Sequence, residues 1–184
     1  MSTISTIVSR GLSVAALCLL TGFYSASALA QNPHIDVTII ESGGADKLDF
    51  VNSACSDRPG EKGCVLMSRG SKNWISWELD RNSTGEGWVL SRLDFSPDGV
   101  HWGDPGYPLQ DCTVSAFRLT EQDRISGHAS AAEVLSNGKR MRIWDENDND
   151  PQFPCITHYR LTAENINTGD ITDSDPVIDN RGRN

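Results

Sequence analysis

Short runs in which apolar and polar residues alternate with a period of two recur along this chain, and they restrict its fold more than any other feature. In residues 74–80, Ile75, Trp77 and Leu79 share one face while Trp74, Ser76, Glu78 and Asp80 share the other. Residues 34–41 set Ile35, Val37 and Ile39 against polar neighbours. Residues 88–95, 113–120, 139–144 and 156–163 are further short runs rich in aromatic and β-branched side chains. Successive side chains of a strand point to opposite faces, so this alternation is the pattern of a half-buried sheet. The punctuation agrees. Asn137-Gly138 carries the positive-φ chemistry of a tight hairpin, and Ser96-Pro97-Asp98-Gly99 and Thr168-Gly169-Asp170 are further turns. Only residues 129–135 suggest a helix, and a short one. Val177-Ile178, just after Pro176, is placed to dock a last short strand at an edge. About eight to ten strands at this spacing predict an all-β chain, a single antiparallel β-sandwich of immunoglobulin-like or jelly-roll-like type with little helix. Trp77, 13 residues after Cys64, has a separation suited to a core tryptophan packed on a disulfide, although no Tyr-x-Cys follows and Cys55 competes for Cys64.

Residues 1–30 read differently. Arg10 is their only charge, residues 12–20 are an apolar run, and Ala28-Leu29-Ala30 is a small-x-small cleavage pattern before Gln31. This predicts a secretory signal peptide, too short to span a membrane, followed by one domain over residues 31–184. The expected location is the periplasm or the extracellular space, with no membrane insertion after cleavage. Four of the five cysteines follow the signal. An even number in an exported chain predicts two disulfides. Cys55 and Cys64 flank a turn-rich segment and should pair with each other, which leaves Cys112 for Cys155. No CxxC spacing points to zinc.

The 184-residue chain has a formal charge of −9 at pH 7 and no basic run. That balance argues against a nucleic-acid partner or an anionic membrane surface. There is no GxSxG, no HExxH and no Gly-rich phosphate loop, and the histidines at 34, 101, 128 and 158 are scattered. The motifs of the common hydrolases and metalloenzymes are therefore missing.

Three features carry functional information. Glu78-Leu79-Asp80 resembles part of the E-x-D-x-x-E strand of jelly-roll endo-β-glucanases, and a small secreted hydrolase whose acids come from separate strands is an alternative reading of the chain. The resemblance covers three residues. Residues 145–153, DENDNDPQF, resemble the DxNDNxPxF calcium linker of cadherin repeats. This implies a calcium-dependent adhesion-type domain with Asp145, Asn147 and Asn149 as metal ligands, because calcium favours clustered hard oxygen donors. Trp74, on a polar strand face, and Trp102 and Tyr107, in a Gly/Pro-rich loop, are candidate ligand-binding aromatics. Taken together, these features favour a non-catalytic, exported binding or interaction module that takes a glycan or a periplasmic or extracellular protein. No catalytic residue is assigned, and calcium is the one cofactor the sequence brings into view.

Overall fold

The computed structural model describes residues 32–51, 55, 62–67, 72–147 and 155–180. The expected signal segment 1–30 lies outside them. Among the described residues ten strands and three short α-helices follow one another: β1 (His34–Ser42), β2 (Ala45–Phe50), β3 (Val65–Met67), β4 (Asn73–Leu79), α1 (Arg81–Gly85), β5 (Trp88–Ser96), α2 (Asp111–Ala116), α3 (Glu121–Ser126), β6 (Glu133–Leu135), β7 (Arg140–Asp145), β8 (Cys155–Asn165), β9 (Ile171–Ser174) and β10 (Val177–Asn180), with one 3-10 turn at Ser136–Gly138. They form two sheets. The first has the order β2-β1-β4-β7-β6, and the second β3-β10-β8-β5 with β9 also beside β8.

Those period-two runs that become strands do so because each buries its apolar side. In β4, Ile75, Trp77 and Leu79 are buried, as are Met141 and Ile143 of β7. From the second sheet, Leu90, Leu93, Tyr159 and Leu161 join the same core cluster. One hydrogen bond ties the two sheets across that core: the Trp77 indole Nε1 donates to the Tyr159 hydroxyl at 3.0 Å, and that hydroxyl donates to the Gly63 carbonyl at 2.6 Å. At the sheet margins, Leu48 N of β2 donates to Thr172 Oγ1 of β9, which donates to the Asp46 carbonyl.

Four expectations need correction. The strands are not all antiparallel, since β1 runs parallel to β4 and β3 parallel to β10. Some 30 residues separate β1 from β4, and a connection of that length lets the chain return in the same direction, which a hairpin cannot do. Residues 113–120 are not a strand. Thr113, Ala116 and Phe117 are buried at helical spacing, with Thr113 and Ala116 inside α2 and Phe117 as its C-cap. Residues 129–135 are not a helix but a turn leading into β6. Trp77 packs on Tyr159, with ring centroids 5.1 Å apart, whereas the Cys55–Cys64 bridge lies in a second apolar cluster with Val177. The immunoglobulin-type pairing of tryptophan and disulfide is therefore not formed.

Both disulfides pair as their spacing predicts, Cys55 with Cys64 and Cys112 with Cys155. The Asn137-Gly138 hairpin also forms, between β6 and β7. Its loop is longer than two residues, with Ser136, Asn137 and Gly138 all at positive φ. At Gly138 a Cβ would stand 2.5 Å from the Val89 Cβ, so packing as well as φ requires glycine there. Among the described residues no helix is long and apolar enough to cross a membrane.

Candidate functional site

The sequence-proposed carboxylates are drawn into structural roles. Glu78 lies between Arg140 and Lys139. The Arg140 hydrogen bond, assisted by Lys139, outweighs partial burial and holds this carboxyl below its usual range. Asp80 is the N-cap of α1, accepting from Ser83 N at 2.7 Å and from Thr38 Oγ1 at 3.0 Å. Burial works to raise its pKa, but these hydrogen bonds prevail and the net shift is downward. Both acids are therefore held by structural partners, Glu78 by two cations and Asp80 by the helix N-terminus that it caps.

The acidic segment begins at the end of β7. Asp145 and Asn147 are fully buried, and Asp145 Oδ1 accepts from Asn147 N at 2.7 Å. Asn147 has φ 43°. Glu146 donates its backbone N–H to the Ala116 carbonyl, and its carboxylate meets Lys72, Arg118 and the Trp144 indole Nε1. Asn149 lies outside the described residues. Two of the three proposed calcium ligands are thus turned into the protein interior.

The three aromatic candidates are not brought together. Trp74 stands on the outer face of the first sheet, opposite Trp144 in the β4–β7 register. Their rings meet edge to face at 5.4 Å, with the Arg142 guanidinium 4.0 Å from the Trp74 ring. Trp102 belongs to the loop after β5 and covers the outer face of the second sheet, where the Arg160 guanidinium lies 4.2 Å from its ring. Tyr107, 51% exposed, stacks on His101 at 3.6 Å farther along that loop. The separation follows from topology, because β4 and β8 lie in different sheets.

The Trp102 surface is a cleft of about 380 Å³ whose lining includes Ser91, Arg92, Asp94, Arg160, Thr162 and Asp173. A register shift between Leu90 and Arg92 marks a β-bulge. The extra residue returns Leu93 and Phe95 to the core while aiming Arg92 and Asp94 outward. The indole is fixed by its Nε1–H, which donates to the Gly99 carbonyl at 3.0 Å. The loop beneath it is itself ordered. Asp98 accepts from the backbone N–H groups of His101 and Val100 and from the His101 ring, which holds its carboxyl far below the usual range.

Charges in the cleft are matched. Arg92 pairs with Asp94, and Arg160 with Asp175 and Asp173. Partial burial works against the charged form of Arg160, yet Asp175, Asp173 and Asp94 more than compensate and raise its pKa. The result is a rigid indole beside planar ionic groups and the hydroxyls of Ser91 and Thr162. Such a surface can stack on one face of a ligand while exchanging hydrogen bonds with its polar edge.

Sequence reasoning missed Trp144, which alternation alone would have placed outward with Arg142. It also missed Arg160 and Asp173, which only strand pairing brings to Trp102. No protein-family model matches the chain, and no curated protein matches it in sequence.

Proposed function

We propose that this protein is an exported, non-catalytic binding module of β-sandwich type, and that its ligand is a neutral glycan held in the Trp102 cleft. One observation carries the reading: a half-buried tryptophan, fixed by its own loop, stands over a strand face where guanidinium, carboxylate and hydroxyl groups lie side by side. Sugar hydroxyls donate and accept at once, so a surface offering both kinds of partner suits them, and the apolar face of a pyranose suits the indole. Arg92 and Arg160 are balanced by Asp94, Asp173 and Asp175, which favours an uncharged ligand over a polyanion. The two disulfides fit an oxidising compartment, and the signal-like residues 1–30 supply the route to it.

The test is retention of the purified protein on an immobilised panel of neutral and anionic oligosaccharides. A neutral member should be retained. Trp102→Ala should weaken that retention at least about tenfold, which corresponds to roughly 1.4 kcal/mol, with the melting temperature within a few degrees of wild type. Trp74→Ala should leave retention unchanged, because Trp74 stands on the other sheet. Asp173→Ala, at an exposed β9 position, gives a second reading of the cleft that does not disturb the loop. Retention of anionic members alone, or binding that survives both Trp102→Ala and Asp173→Ala, would overturn this function.

A further inference from the structure

The cleft on the first sheet is a different object, and its chemistry points to a different ligand. It is an apolar pocket of about 360 Å³ lined by Trp74, Phe117, Arg118, Ala131 and Trp144. Its floor belongs to the core: Phe117 is 1% exposed and stacks on Phe95 with centroids 4.6 Å apart. A wall anchored in this way is preformed, and the volume suits one or two fused rings.

The polar groups round this pocket are unequal in what they leave available. The Glu146 carboxylate, 8% exposed, is already engaged: Oε1 takes the Trp144 indole N–H and Arg118, and Oε2 takes Lys72. Arg118 pairs with Glu146 but its side chain is 69% exposed. A guanidinium has five N–H donors, so that pair leaves several of them facing the rim. The pocket therefore combines aromatic walls with spare donors on Arg118 and an acid already held by three partners.

Arg118 also occupies an unusual backbone position. It follows the C-cap of α2 at φ 51°. Leu119 N returns to the Val114 carbonyl at 2.9 Å and Arg118 N to the Ser115 carbonyl at 3.2 Å. That is the helix-ending motif in which glycine is usual, because its αL residue is strained when it carries a Cβ. A side chain retained against this strain, with its guanidinium at the mouth of an aromatic pocket, is a pattern associated with ligand sites.

We infer that the pocket lined by Trp74 and Trp144 binds a small aromatic carboxylate, with its ring packed against the contacting indole pair and over Phe117 and its carboxylate on the outward N–H groups of Arg118. The assignment does not depend on the glycan reading, since the two clefts lie on different sheets.

Calorimetric titration of the full chain with naphthylacetate, naphthylacetamide and naphthylmethylamine tests it. The acid should bind at least about tenfold more tightly than the amine, with the amide between them. Arg118→Gln, which keeps the backbone strain but removes the charge, should bring the acid to the level of the amide. Ala131→Trp, at an exposed position of the lining, should block all three while the protein stays folded. Equal binding of acid and amine, or no binding at millimolar concentrations, overturns the inference. So does acid binding indifferent to both substitutions. A peptide ending in Phe that binds when naphthylacetate does not would overturn the small-ligand assignment in favour of a protein partner.

Discussion

Tyr159→Phe is the sharpest perturbation of the core. The Tyr159 hydroxyl accepts from Trp77 Nε1 at 3.0 Å and donates to the Gly63 carbonyl at 2.6 Å, so one oxygen joins β4, β8 and the segment before β3. The phenylalanine ring keeps the packing on Trp77 and Phe50, and the substitution removes little except the oxygen. What remains is an indole N–H and a carbonyl, both buried, each without its partner. A buried polar group deprived of its hydrogen bond costs about 1–3 kcal/mol. We therefore expect a loss of about 3 kcal/mol in urea unfolding, and a fall in melting temperature of about 6–12 °C for a domain of this size. A loss below about 1 kcal/mol would mean that water or a backbone shift replaces the bridge, and would refute the argument that this hydroxyl couples the sheets. The pH dependence gives a second check. Burial raises the Tyr159 pKa well above its ordinary value of about 10. The folded state thus holds a proton that the unfolded chain releases. The resulting stability is complete below about pH 10 and is lost as the pH rises beyond it. The alkaline decline in wild type should be shallower in Tyr159→Phe.

Two further substitutions probe other parts of the frame. Asp123 closes the N-terminus of α3, accepting from Thr120 N at 2.9 Å and from Ser130 Oγ at 2.7 Å, and Asp123→Ala should lower stability by about 1–2 kcal/mol. Burial works to raise the Asp123 pKa, but the Thr120 and Ser130 hydrogen bonds lower it overall. Its contribution is therefore present above the ordinary carboxylate value of about 4 and lost as the pH falls below it. Acid unfolding followed by circular dichroism should be less steep in the variant. Cys112→Ser should leave Cys155 as a thiol that alkylates only after unfolding, since it is 1% exposed, and should cost about 2–5 kcal/mol in denaturant titration. Rapid alkylation of the native variant would show that the bridge holds β8 in place rather than merely shortening the unfolded chain.

Parts of the candidate site can be picked out in the sequence. Trp102 stood out because a large aromatic in a Gly/Pro-rich loop has little local apolar company, and the structure does leave it half-buried over a cleft. Trp74 stood out for the same reason on a polar strand face. What could not be read was that they belong to separate surfaces. Arg160 lies 58 residues beyond Trp102 in the chain, and only the β5–β8 register sets it beneath the indole. Glu146 is likewise an ordinary acid in an acidic run until β7 and the end of α2 place it against Arg118.

Local sequence determined the strands whose apolar residues alternate, such as β4 and β8, because the period of two is a property of the extended chain itself. It also determined the turns, where glycine and asparagine accept backbone angles that other residues resist. The Cys55–Cys64 pairing belongs to the same class, since a short, turn-rich loop closes cheaply. Tertiary structure alone decided the parallel pairings, because strand direction depends on how a long connection travels and leaves no mark on alternation. It also decided the fate of residues 113–120. Their branched and aromatic side chains suit a strand, but the Cys112–Cys155 bridge and the stacking of Phe117 on Phe95 belong to a short helix against β8. Burial of a few side chains there outweighs propensity worth only tenths of a kcal/mol per residue, about 0.7 at most.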